Sequence, residues 1–135
     1  MTSESPVSAT EASPLVLAIL HELLTKLGEL AASGRTATID LRRLPLTAAD
    51  RQQLSALLGQ GEVIVEIQAL GPSKITETRF PGVWWVDHKN AAGDTVGEAI
   101  EIALVPEILH ATSSDAAASV EALVTLLTDF RTSSA

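Results

Sequence analysis

The sequence predicts a single α+β domain: a mixed, mostly antiparallel sheet of four or five strands, with three helices mainly on one face. Two observations support this. Strand-like alternation and turn residues fill the middle of the 135-residue chain, from Leu57 to Pro106. Stripes of aliphatic residues at helical spacing lie before and after that region. The expected element order is α-β-α-β-β-β-β-α.

Composition limits both the core and the class of partner. Aromatic residues make up 3% of the chain, so aliphatic side chains must fill most of the core. The net charge of −8 argues against a nucleic-acid-binding protein, which needs a basic patch. The chain has no cysteine, which excludes disulfides, zinc–thiolate sites and cysteine nucleophiles.

The N-terminal region carries no recognisable targeting signal. It lacks the basic start and the long apolar core of a signal peptide. The apolar run from Leu15 to Leu24 is interrupted by His21 and Glu22, and it is shorter than the roughly 20 residues of a membrane-spanning helix. We therefore expect a cytoplasmic protein that does not insert into membranes.

The polar ends of the chain are predicted to be flexible tails, at residues 1–13 and 132–135, which leaves 14–131 as the domain. Ser13 and Pro14 predict the start of the first helix, as N-cap and first helical residue. Gly34 predicts its end. The apolar face of this helix is wider than one sheet contact requires, which predicts a second contact, with another helix or another copy of the chain.

The segments that follow predict a strand, a helix and a second strand. Thr36 to Leu41 alternates as a short strand, Thr47 caps the helix, and Glu62 to Leu70 alternates as the next strand. Such spacing is typical of a right-handed crossover, which would make the strands near Ile39 and Val65 parallel.

Three further strands and a last helix complete the chain. Strands are predicted over Lys74 to Phe80, Val83 to Lys89 and Gly97 to Val105, with turn residues between them. Ser113 or Ser114 would cap the last helix. Its core stripe is expected to comprise Ala116, Val120, Leu123, Leu127 and Phe130.

The two tryptophans, Trp84 and Trp85, stand side by side on a predicted strand. Because successive strand residues point to opposite faces, one tryptophan should lie in the core and the other nearer to solvent. An exposed Trp85 would be an interaction anchor. If both faces of the sheet are covered, both tryptophans belong to the core, and alternation alone leaves the two alternatives open.

No catalytic or metal-binding motif is recognisable. The three histidines lie on different predicted elements, without the spacing of a metal site: His21, His88 and His110. Carboxylates on neighbouring strands could pair as catalytic groups only in a cleft, and an exposed acidic sheet face is the better interpretation. The sequence therefore predicts no catalytic, cofactor-binding or metal-binding residue, and no cofactor.

Three stretches of this chain resemble one known pattern, that of the HupH/HyaF hydrogenase expression proteins. Leu57-Leu-Gly-Gln-Gly-Glu-Val63 resembles the family's Leu-Leu-Gly-x-Gly-Glu-Val signature. Ile75-x-Glu-Thr-x-x-x-Gly-Val-Trp84 resembles its central segment, and Glu98-Ala-Ile-Glu-Ile-Ala-Leu-Val-Pro106 resembles the strand that closes its conserved C-terminal module. Order and spacing agree, so the chain resembles a single-module member. Two residues depart from the pattern. Gln60 stands where an acidic residue is frequent, and Trp85 stands where a polar or basic residue is frequent.

The resemblance implies a non-catalytic cytoplasmic accessory protein for NiFe hydrogenase expression and maturation. It would act as an assembly chaperone on the small-subunit precursor, which carries a twin-arginine export signal, together with other maturation proteins. Two other classes stay open: a small enzyme with its site on the open sheet face, and a structural or regulatory homodimer module. A deep pocket with converging polar side chains would favour the enzyme.

The predicted partner-binding surface lies on the sheet, where the motifs that carry the resemblance concentrate. Outward positions of these strands would set acidic groups around one tryptophan. An acidic rim complements a basic export segment and speeds encounter with it. The hypothesis names Glu62, Ile64, Glu66, Glu77, Trp85 and Glu101.

Overall fold

The computed structural model describes residues 11–68 and 71–133. The helices are α1 (Pro14–Ser33), α2 (Ala48–Leu58) and α3 (Ser113–Ser133). The strands are β1 (Ala37–Asp40), β2 (Ile64–Gln68), β3 (Pro72–Glu77), β4 (Val83–Lys89) and β5 (Thr95–Ile102). Short 3-10 turns occupy Leu41–Arg43 and Glu107–Leu109.

The α+β class and the predicted order of helices and strands are therefore confirmed. Residues 1–10 and 134–135 of the predicted tails, and the last two residues of the predicted strand Glu62 to Leu70, lie outside the described residues. The last helix reaches Ser133, two residues beyond the predicted end of the domain.

All five strands form one sheet in the order β1-β5-β4-β3-β2. Every neighbouring pair is antiparallel, so the sheet is antiparallel throughout rather than mixed. β1 and β2, the strands near Ile39 and Val65, run parallel to each other as predicted, although they lie at opposite edges of the sheet with β5, β4 and β3 between them. Short connections build β2 to β5 as successive hairpins, and β1 pairs with the edge that β5 leaves open.

The main core lies between one face of the sheet and the helices α1 and α2. The members from the helices and the sheet are all aliphatic, and include Val16, Ile19, Leu23, Leu54, Leu58, Ile39, Val83, Ile100 and Ile102. A second, smaller cluster on the opposite face comprises Ile75, Trp84 and Val86, with Val65 and Ile67 packed against it. The sheet therefore buries apolar side chains on both faces.

The first two helices begin as the sequence predicts. The Ser13 hydroxyl accepts a hydrogen bond from the Val16 N–H, and Gly34 ends α1 in the left-handed conformation with φ 78°. At α2, Thr47 and Asp50 form a reciprocal capping box. The Thr47 backbone N–H, which donates to the Asp50 carboxylate, is the main cause that lowers the pKa of Asp50.

The last helix departs from the prediction, because its apolar stripe does not join the core. Every residue of α3 whose exposure the structure describes is exposed, including Val120, Leu123 and Leu127. Its cap is Thr112 rather than Ser113 or Ser114, since the Thr112 hydroxyl accepts from the Asp115 N–H at 3.0 Å. Periodicity predicts an apolar helix face but does not say what covers that face.

The turn between β3 and β4 is built around Thr78. This residue is 2% exposed, and its hydroxyl donates to the Val83 carbonyl at 2.9 Å and accepts from the Phe80 N–H at 3.1 Å. The Thr78 N–H donates to the same Val83 carbonyl at 3.0 Å. We call residues 78–83 the Thr78 turn.

Two distant segments are hydrogen-bonded to the Thr78 turn and its flanking strands. After α2, the Leu58 carbonyl accepts from the Arg79 N–H at 2.9 Å, and the Gly61 N–H donates to the Glu77 carbonyl at 2.7 Å. After β5, the Ala103 N–H donates to the Gly82 carbonyl at 3.0 Å. The three stretches that carry the family resemblance therefore meet at one turn.

We predict that Gly61→Ala destabilises the fold. A Cβ at position 61 would lie 2.7 Å from the Thr78 carbonyl oxygen and 2.7 Å from Glu77 Oε1. Because the backbone must shift to make room, the free energy of unfolding should fall by about 2 kcal/mol. Urea denaturation measures this change.

The matched control is Gly28→Ala, in the middle of α1, where a Cβ would have no neighbour within 4 Å. Alanine favours the helix there, so the control should gain up to about 1 kcal/mol. A Gly61→Ala protein as stable as the wild type contradicts the close approach.

Candidate partner-binding surface

The register places Ile64 and Trp85 on the sheet face that α1 and α2 cover. Residues opposite each other on antiparallel strands share a face, and Thr76 pairs with Ile64 on one side and with Trp85 on the other. Glu66, two residues after Ile64, points the same way. Glu62 precedes β2 and is exposed.

Glu77 and Glu101 lie on the opposite face, because both stand opposite Trp84. The Glu101 carboxylate also accepts a hydrogen bond from the Glu107 N–H at 2.9 Å. The expectation that all six predicted residues share one face is therefore wrong. Alternation orders the residues within a strand, but it does not fix how neighbouring strands are aligned.

Trp85 is half-buried and packs against the main core. Its indole N–H donates to Glu98 Oε2 at 3.2 Å, and Glu98 Oε1 accepts from Arg51 Nε at 2.6 Å. Arg51 belongs to α2 and Glu98 to β5, so this carboxylate ties the helix to the sheet beside the indole. Trp84 is the more buried tryptophan, and its indole N–H donates to the Ala103 carbonyl at 3.0 Å.

Trp85 lines two hollows beside α2, which we call the Trp85 grooves. One has a volume of about 180 Å³ and the other about 540 Å³. They bring together residues from all three stretches that carry the family resemblance, namely Gly59, Gln60, Thr76 and Glu98. The two residues that depart from the family pattern, Gln60 and Trp85, line the same groove.

The polar groups around these grooves do not form a recognisable catalytic arrangement. Among residues 11–68 and 71–133, no three His, Cys, Asp or Glu side chains are placed to hold a metal ion. His88 Nδ1 lies 2.9 Å from Ser73 Oγ, and His110 Nε2 lies 3.2 Å from the Val105 carbonyl oxygen. His21 is exposed on α1.

A separate apolar groove of about 160 Å³ lies between α1 and the Thr78 turn. Leucine side chains of α1 and the ring of Phe80 line it, and the Arg79 guanidinium lies 4.9 Å from the centroid of that ring. Sequence reasoning did not name Phe80 as a surface residue. The sequence feature that indicated this groove was the wide apolar face of α1, which predicted a second contact for the helix.

In the part of the chain that the structure describes, no helix has both the length and the apolar character needed to cross a membrane.

The family follows from comparison with known proteins. Residues 15–129 match the family model of the HupH hydrogenase expression protein, C-terminal conserved region. The chain belongs to the HupH hydrogenase expression protein family. The resemblance read from residues 57–106 is thereby confirmed, and the match extends well beyond them.

Several relatives carry names from hydrogenase biology. The hydrogenase expression/formation protein HoxQ of Azotobacter vinelandii is 36% identical over 97 residues, which cover 72% of this chain and 34% of HoxQ. HupH of Rhodobacter capsulatus is 32% identical over 98 residues, covering 73% of this chain and 35% of that protein. The hydrogenase-1 operon protein HyaF of Escherichia coli K12 is 43% identical over 77 residues, covering 55% and 26%. The chain thus matches about a third or less of each relative.

A solved structure supports the same HupH assignment. The hydrogenase expression protein HupH from Thiobacillus denitrificans superimposes with a TM-score of 0.83 at 44% sequence identity. The alignment covers 87% of this chain and 98% of that one. The HupH fold described above is therefore shared across the aligned region.

We predict that Arg51→Met destabilises this HupH domain. The Glu98 side chain is 13% exposed, and the substitution would leave its carboxylate without its cationic partner. The free energy of unfolding should fall by about 2 kcal/mol, measured by urea denaturation.

Arg43→Met is the matched control, because Arg43 pairs with Asp40 at 3.3 Å but is 86% exposed. Exposed ion pairs contribute little, so the control should change stability by about 0.5 kcal/mol or less. Equal effects of the two substitutions would show that the Glu98 contacts do not hold α2 on the sheet.

Proposed function

We propose that this chain is a non-catalytic accessory protein for NiFe hydrogenase expression and maturation. Membership of the HupH family supports this role, as do the names of relatives such as HoxQ and HyaF. We further propose that it acts in the cytoplasm as an assembly chaperone on the hydrogenase small-subunit precursor, together with other maturation proteins.

One structural observation supports a binding role: the motif-bearing segments converge on the Trp85 grooves. Next to these grooves, on the same sheet face, lie Ile64, which is 51% exposed, and the exposed Glu66. An apolar centre with a polar rim is typical of protein–protein interfaces. We propose Glu62, Ile64, Glu66 and Trp85 as the contact surface.

Glu77 and Glu101 do not belong to that surface, because they flank Trp84 on the other face. Any partner contact that they make would be a separate one, on the opposite face of the sheet. The proposed contact surface therefore lies on one side of the sheet, where single substitutions can test it.

Charge supports a basic segment of the precursor as the contacting part. The chain carries a net charge of −8, and Glu62 and Glu66 place acidic groups at the edge strand β2. Such groups attract a basic segment before contact and raise the association rate, while buried apolar contacts determine most of the affinity. Screening by salt should weaken this attraction.

A second proposal concerns self-association. α1 exposes Leu17 and Leu24, and α3 exposes a complete apolar stripe. We propose that two copies of the chain associate through these helices, at a surface separate from the Trp85 grooves.

We predict that Glu66→Lys slows association with the purified small-subunit precursor several-fold at low salt, and that the effect fades at high salt. Ile64→Ala should instead speed dissociation and weaken binding by about 1 kcal/mol. Both residues are exposed, so each substitution should lower the unfolding temperature only slightly, Glu66→Lys because it places a lysine directly opposite Lys74. Surface plasmon resonance at two salt concentrations measures both rates.

The matched control is Asp94→Lys, the same change of charge in the exposed β4–β5 hairpin loop. It should leave the association rate close to that of the wild type. If Glu66→Lys, Ile64→Ala and Asp94→Lys all bind the precursor like the wild type, this side of the sheet is not the contact surface.

A further inference from the structure

α1 carries two neighbouring apolar stripes: the first is buried in the core, and the second lies at the edge of the core, with Leu20 and Leu27 packed partly against it. The buried stripe includes Val16, Ile19 and Leu23. The second stripe follows intervals of three and four residues and comprises Leu17, Leu20, Leu24, Leu27 and Ala31. Leu24, at its middle, is 70% exposed, and the apolar groove beside Phe80 runs along this stripe.

α3 carries a third stripe with the same alternating intervals. Ala116, Val120, Leu123 and Leu127 recur every four or three residues, and the spacing continues to position 130. Leu123, at the middle, is 57% exposed. Intervals that alternate between three and four residues are typical of helices that pack side by side through their apolar seams. The stripes at 17–31 and 116–130 are also equal in length.

We propose that α3 of one copy packs on the second α1 stripe of another copy, so that two chains exchange their last helices. In a single chain Leu24 and Leu123 are both mostly exposed, so the two stripes do not cover each other. A second copy would cover the exposed leucines of α1, Leu17 and Leu24, and those of α3, Leu123 and Leu127, at the same time. The inference rests on the self-association proposed above and not on the hydrogenase partner.

The size of the contact favours exchange in both directions. A helix of 21 residues is about 31 Å long and about 10 Å wide, so laying it on α1 covers about 300 Å² on each helix. Reciprocal exchange would bury about 1,200 Å² in total, which reaches the range of stable specific interfaces. A one-way contact would bury about half of that, which is typical of weak contacts.

Charge gives this contact a distinctive salt dependence. Two copies with a net charge of −8 repel each other, so the apolar seam must overcome that repulsion. Added salt screens the repulsion and should strengthen the dimer. Binding of a basic precursor segment should respond in the opposite direction, which separates the two proposals experimentally.

Disulfide cross-linking tests the exchange directly, because the chain has no cysteine of its own. Leu24 and Leu123 are the midpoints of their stripes, so they meet whether the two helices run parallel or antiparallel. An affinity-tagged Leu24→Cys chain is mixed with an untagged Leu123→Cys chain under mild oxidation. The expected main product is a disulfide-linked pair of one tagged and one untagged chain.

The control is Thr125→Cys in place of Leu123→Cys, since Thr125 lies on the side of α3 opposite the stripe and should cross-link poorly. Efficient cross-linking of Leu123→Cys with itself alone would mean that α3 pairs with α3, which overturns the exchange. A Leu24→Cys/Leu123→Cys double variant that forms only a monomer with an internal disulfide would also overturn it.

A second measurement separates the exchange from self-association as such. Leu123→Glu together with Leu127→Glu should raise the dimer dissociation constant by about tenfold or more, measured by analytical ultracentrifugation. The unfolding midpoint of the monomer should not change, because neither residue belongs to the core. A variant that stays as dimeric as the wild type overturns the exchange while leaving self-association intact, and a wild-type chain that is monomeric at high micromolar concentration and high salt overturns both.

Discussion

The Thr78 turn is the constraint on which the rest of the structure depends. Its buried hydroxyl must make its hydrogen bonds, because an unsatisfied buried polar group costs about 1–3 kcal/mol. The backbone of the turn is bonded to Leu58 at the end of α2, and to Ala103 after β5. These partners are far apart in sequence, so α2, the β3–β4 hairpin and β5 cannot shift independently. The family resemblance therefore marks a structural junction.

Each candidate surface depends on this junction. The Trp85 grooves form where the end of α2, β3 and β4 meet, and Glu98 fixes the indole from β5. The apolar groove forms where Phe80, carried by the turn, faces the leucines of α1. The two proposed contacts, with a partner and with a second copy, would therefore use different residues that the same junction positions. The acidic charge of the chain favours a basic partner and opposes self-association.

Local signals in the sequence predicted the elements well, since Ser13, Gly34 and Thr47 have the cap roles expected of them. Pairing between strands could not be predicted in the same way. Alternation within β4 separates Trp84 from Trp85, but only the register shows that Glu101 lies beside Trp84 and Ile64 on the side of Trp85. Periodicity likewise predicted the apolar stripe of α3 without showing that it stays exposed. Both outcomes have one cause. The spacing of apolar residues shows which side chains share a face of a helix or strand, but what covers that face depends on residues far away in the sequence or on another molecule.

Native-state hydrogen exchange tests the central role of the Thr78 turn most directly. The amides of Gly61, Arg79 and Ala103 donate the hydrogen bonds that join the three segments, and the Thr78 amide donates to Val83 within the turn. If the segments form one cooperative unit, the four amides open with similar free energies, and Thr78→Val lowers all four by a similar amount, about 1–3 kcal/mol. If Gly61 and Ala103 keep their native protection while Thr78 and Arg79 lose theirs, the segments are independent and the turn does not hold them together.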